Sequence, residues 1–213
     1  MSNSTRRTKI LMFSDVMVEK WAKGAAYIAY HVLGLNNYNC DYTVTVINDP
    51  AYEQDGLFSI SDNDIKLNLA TLVPYPIEGI ARRPKDMSEE EALADEDYRH
   101  ALSICAIVFH EMRHLYQKEA VKIYEVNKML GGNTLKPLEG PAKCELWKKE
   151  LEGYVLDESE KTDLEQDAND FAYYLSNRFP IELPMQRTNR RLGAMKRKYD
   201  KVPIPEIKKH SET

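Results

Sequence analysis

Apolar positions along the first third of the chain recur with two different periods. Val18, Trp21, Ala22, Ala25, Ala29 and Val32 trace one stripe at helical spacing. This predicts a helix capped by Ser14 or Asp15 and ending near Gly34 and Asn36. Over residues 42–47 Thr and Val alternate in a β-branched run that stops at Asp49-Pro50, the pattern of a strand followed by a turn. Residues 57–60 and 65–69 flank Ser61-Asp62-Asn63-Asp64, which predicts a hairpin whose polar tip forms an Asx turn rather than a calcium loop. In the second of these strands Ile65, Leu67 and Leu69 face one way, and Lys66 and Asn68 the other.

Helical spacing governs the rest. Pro74, Pro76 and Pro84 mark an irregular connection, and Ser88-Glu89-Glu90-Glu91 reads as a capping box. Nothing from there to Asn127 breaks a helix; two helices are expected to share the stretch, the second starting near Asp97. Gly131-Gly132-Asn133 closes it, and the segment through Pro141 is expected to be a connector, with a flap over a cleft as the alternative. A helix over residues 143–155 would turn Leu146, Trp147 and Leu151 inward. A last one carries Leu164, Ala168, Phe171, Ala172 and Leu175 on a single face. The class is α+β, mostly helical, with a small N-terminal twisted sheet.

A chain of 213 residues suits one domain, here residues 1–186, followed by a tail. The formal charge of -5 conceals an asymmetry, because residues 187–213 carry nine Lys or Arg against three acidic residues. With Pro203 and Pro205 this tail reads as a mobile basic extension that could meet nucleic acid, an acidic partner or the chain's own acidic body, with plain solvation the favoured explanation. Cys40, Cys105 and Cys144 form no metal or redox spacing, and an odd number argues against an extracellular disulfide framework. The apolar run 10–13 is far shorter than a signal-peptide core and no segment has membrane length, so a cytoplasmic protein without membrane partners is expected.

The chemistry concentrates at His110-Glu111-Met112-Arg113-His114. Positions i and i+4 of a helix share a face, so His110 and His114 can grip one ion, while Glu111 sits beside it. Zinc held by three protein ligands keeps a place for water and lowers its pKa to roughly 7, within reach of a carboxylate base. The flanking Ile104, Ile107, Val108 and Leu115 supply the apolar walls a rigid site needs. A third ligand is expected downstream, on the segment beginning at Leu164. Glu165 borders its apolar face at about 80° from the centre, with Asn169 one turn later, but Asp167 borders the opposite edge at a similar angle. Spacing leaves these two carboxylates tied. His100 and His210 stand in no comparable pattern, and Cys105 reads as buried packing.

The pair formed by His-Glu-x-x-His and the later Glu-x-x-Ala-Asn-x-Phe-Ala resembles the gluzincin metallopeptidases, most closely the small ImmA/IrrE-like zinc peptidases. The resemblance implies a minimal zincin-like domain with zinc bound by His110, His114 and Glu165. It also implies Glu111 as catalytic base and Asn169 as a hydrogen-bonding support of the site. It covers about half the chain, and residues 116–162 have no counterpart in it. In zincin-like enzymes a strand just before the active-site helix lies at the sheet edge and pairs with substrate backbone, which would assign that place to residues 65–69, although a half-buried strand with no binding role accounts for their alternation equally well. The resulting expectation is a zinc-dependent endopeptidase acting on a cytoplasmic protein or peptide. The rival is a zincin-like regulatory or binding protein with little or no catalysis. Tyr116, Tyr154, Tyr173, Tyr174, Arg113 and His100 are all eligible to stabilise an oxyanion.

Overall fold

The first helix, α1 (Asp15–Val32), buries Val18, Trp21, Ala22, Ala25, Ala26 and Ala29, and its run of alanines lets the helix backbone approach its neighbours closely. These details come from a computed structural model describing residues 15–38, 40–51, 56–59, 61–71, 89–132, 134–153 and 162–178. Ser14, the proline-marked connection, the Ser88 capping box and the basic tail lie outside the described residues. Val32, expected on the inner stripe, is instead 44% exposed. The chain turns at Gly34, whose φ of 71° suits a residue without a Cβ, and this turn delivers Leu33 and Leu35 to the core in its place.

Three strands follow: β1 (Thr43–Ile47), β2 (Gly56–Ser59) and β3 (Asp64–Asn68). The hairpin forms as the spacing predicts, with β2 antiparallel to β3 and Phe58 opposite Ile65. At its tip Asn63 adopts φ 52° and donates through its side-chain amide to Asp41 O at 2.9 Å. β1 then pairs parallel with β3, Val44 against Ile65 and Val46 against Leu67, giving the order β1-β3-β2. The expectation that residues 65–69 form an edge is therefore wrong, because β3 is the central strand. Its burial explains why: Ile65 and Leu67 are fully buried on one face, while Asn68, 1% exposed on the other, satisfies its amide against Asp49 and Ala70.

A single helix of 41 residues, α2 (Glu89–Met129), replaces the two expected near Asp97. No Gly or Pro interrupts it, and in its middle Ala101, Ile104, Val108, Phe109, Met112 and Leu115 bury different sides of the cylinder. A helix apolar on more than one side is stable only when covered on more than one side. α1, β2 and β3 pack against it, as do α3 (Pro141–Gly153) and α4 (Asp163–Arg178). Gly131 (φ 70°) ends α2 as a Schellman cap: its N–H donates to Lys128 O, and that of Gly132 to Asn127 O.

The connector from 134 to 140 doubles back along α2. The side-chain amide of Asn127 both donates to Leu135 O and accepts from Leu135 N, each at 2.8 Å, and the Tyr116 hydroxyl donates to Leu138 O at 2.7 Å. With Ala120 and Tyr124 it borders a cavity of about 510 Å³ whose lining includes neither motif histidine. α3 turns Cys144 and Trp147 fully inward and Leu151 partly, but Leu146, expected inside, is 39% exposed. Residues 144, 147 and 151 set the buried face, and position 146 lies about 100° away from Trp147. α4 buries Leu164, Ala168, Ala172 and Leu175 and partly buries Phe171, the stripe that its spacing predicts. Among the described residues no helix is long and apolar enough to cross a membrane.

Candidate metal centre

Helical geometry brings the two motif imidazoles together. Their rings meet edge to face at 4.6 Å, and His110 Nε2 lies 2.9 Å from His114 Nε2. α4 runs alongside α2 and inserts Glu165 between them: Oε2 is 3.2 Å from His110 Nε2, and Oε1 is 3.3 Å from His114 Nε2. A tetrahedral zinc with bonds of about 2.0–2.1 Å holds its donors roughly 3.3 Å apart, a spacing the two Glu165–imidazole separations match, while the two Nε2 atoms stand closer at 2.9 Å.

Each imidazole is held from behind. His110 Nδ1 is 3.0 Å from Asn169 Oδ1, and His114 Nδ1 is 2.8 Å from Gln117 Oε1. Asn169 was expected to support the site; Gln117 was missed, although it lies one turn beyond His114 on the same face of α2. The signal available was its position at i+3, which a motif ending at the second histidine does not include.

Asp167, tied with Glu165 by spacing, has a different occupation. Arg113 grips it in a fork, Nε to Oδ2 at 2.6 Å and Nη2 to Oδ1 at 3.1 Å, and Lys143 donates to Oδ1 at 2.9 Å. The guanidinium also lies over the rings of Tyr116, Trp147 and Phe171. Four donors in all, counting Gln117 Nε2, turn Asp167 into the joint between α2, α3 and α4.

The electrostatics follow the same division. Burial by itself would raise the Glu165 carboxyl, but hydrogen bonding from His110 and His114 outweighs it and holds the group well below the usual carboxylate range. For His114, burial favours the neutral ring, yet the Glu165 hydrogen bond and the charge of Glu111 prevail and shift it upward. Asp167 is likewise depressed, because Arg113, Lys143 and Gln117 overcome its desolvation.

Glu111 is buried at 7% exposure, and His110, Glu111 and His114 each present a ligand atom within 4.8 Å of the others. It points toward β2: a Cβ on Gly56 would sit 3.1 Å from Glu111 Oε1 and 2.4 Å from Ile107 Cγ2. Glycine at 56 is what allows the strand to pass directly over this part of α2. Of the eligible oxyanion donors, Arg113 and Tyr116 are committed elsewhere, and burial pushes the Tyr116 hydroxyl up to about 12. Tyr154 and the side chain of His100 lie outside the described residues, as does His210. Cys40, Cys105 and Cys144 are buried free thiols, and burial pushes Cys105 up to about 12, as suits inert packing. No protein-family model, curated protein or solved structure matches this chain.

Proposed function

We propose that the chain is a zinc-dependent endopeptidase with a minimal zincin-like domain, His110, His114 and Glu165 being the metal ligands and Glu111 the general base. The observation that carries the reading is the convergence of two Nε2 atoms and both Glu165 oxygens within 2.9 to 3.3 Å, with a further carboxylate alongside. Glu165 is preferred to Glu111 as third ligand because its oxygens face both nitrogens, whereas Glu111 leans toward Gly56.

Zinc at this point would supply a Lewis acid that acidifies water and polarises a carbonyl. The protein's part is positional. Glu111, next to the ligand set, takes the proton from the attacking water and passes it to the leaving amine. β2, not β3, is the strand suited to substrate: among the described residues no strand pairs with its outer side, and Gly56 brings its backbone to Glu111. An extended peptide adding there would gain main-chain hydrogen bonds with little demand on sequence, which suits a protein substrate. In a casein assay at neutral pH, Glu111→Gln should abolish chelator-sensitive cleavage while zinc remains bound. Cleavage that survives the substitution refutes the assigned base.

A further inference from the structure

Gln117 is fully buried, and every hydrogen-bonding group of its amide has a partner. Its Nε2 donates to Leu164 O at 3.0 Å and to Asp167 Oδ2 at 2.9 Å. Both partners are acceptors only: a main-chain carbonyl cannot donate, and Asp167 is held ionised by Arg113 and Lys143. The amide therefore cannot be turned round, because its oxygen would then face two oxygens at about 3 Å. With the NH₂ group so fixed, Oε1 is the atom 2.8 Å from His114 Nδ1, and an amide oxygen only accepts. In the neutral ring the single His114 proton must then sit on Nδ1, which leaves Nε2 as a lone pair facing Glu165 and His110, whereas the hydrogen bond to Glu165 belongs to the protonated ring.

We infer that Gln117 is a positioning residue that locks His114 in the Nδ1–H tautomer, anchored in turn by the Leu164 carbonyl and the Asp167–Arg113 pair. The inference deepens the metal-site reading and rests on it for its purpose, although the tautomer itself exists with or without an ion. His110 is held differently. Its partner Asn169 is exposed, so solvent can satisfy that amide in either orientation and Asn169 does not dictate which ring nitrogen carries the proton. One ligand histidine is thus preset by the core and the other is adjustable. A preset ligand needs no reorganisation on binding, and loss of such an outer partner typically weakens metal affinity roughly 10–100-fold.

The decisive measurement is long-range ¹H–¹⁵N correlation of the imidazoles in the metal-free full chain, at a pH where His114 is neutral. The expected pattern is a proton on Nδ1 of His114, with Gln117→Leu shifting it to a mixture or to Nε2. Zinc affinity, read by competition with a chromophoric chelator, should fall about 10–100-fold in Gln117→Leu. Gln117→Glu restores the acceptor for Nδ1–H and should recover the Nδ1–H pattern, though it loses the bond to Leu164 O and opposes Asp167. A wild-type His114 protonated on Nε2 overturns the inference without recourse to any variant. So does a folded Gln117→Leu with unchanged tautomer and unchanged affinity, even if its stability drops. If the wild type shows the Nδ1–H tautomer but takes up no zinc, the lock stands and the metal reading fails.

Discussion

Replacing Glu165 and Asp167 separately by alanine should split metal binding from folding. Asp167 accepts from four donors, but they do not count equally: Lys143 is 41% exposed and returns to water, whereas Arg113, 14% exposed, would be left charged and unpaired among aromatic rings. Breaking a buried pair from one side costs about 3–5 kcal/mol. In a protein of this size each kcal/mol corresponds to roughly 2–4 °C, so Asp167→Ala should lower the melting temperature of the metal-free protein by about 6–20 °C. It should nevertheless bind zinc to within about tenfold of wild type, because Gln117 keeps its bond to Leu164 O and His114 stays oriented. Glu165→Ala removes the group facing both Nε2 atoms and should weaken zinc binding more than about 100-fold, beyond what loss of an outer partner costs. The assay is elemental analysis of protein purified without added metal, chelator competition and calorimetry, with melting compared in metal-free protein so that bound ion does not mask the stability difference. Stoichiometric zinc in Glu165→Ala, or loss of zinc from a folded Asp167→Ala, refutes the assignment.

Three further outcomes follow from the same contacts. Because the Asp167 carboxyl is depressed in the folded state, its contribution is complete above the unfolded value of about 4 and fades as pH falls through the folded one. The stability gap between wild type and Asp167→Asn, measured by urea denaturation, should therefore narrow from pH 7 to pH 2; a constant gap contradicts it. Gly56→Ala drives a methyl group into Ile107 Cγ2 and should cost about 1–3 kcal/mol, part of which Ile107→Ala restores in the double variant; simple additivity would show that strand and helix do not meet there. Tyr116→Phe gives up the bond to Leu138 O and should lose about 1 kcal/mol in denaturant titration with kcat unchanged, whereas a collapse of kcat at unaltered stability would make Tyr116 an oxyanion donor after all.

Local patterns in the chain determined a good deal: the stripe of α1, the hairpin, the inward face of α4, and the placing of His110, Glu111 and His114 on one helix. Each depends on residues within one or two turns of one another, where backbone geometry alone fixes which side chains are neighbours. Tertiary structure decided what sequence distance hides. β3 became central because β1, separated from it by the whole of β2, pairs with its far side. Glu165 and Asp167 flank one apolar stripe at equal angles, and only the packing of α4 on α2 sends the first toward the imidazoles and the second to Arg113. Gln117 became part of the site for the same reason. Its amide is oriented by Leu164 and Asp167, some fifty positions away along the chain, and a hydrogen bond across that interval exists only once the helices have met.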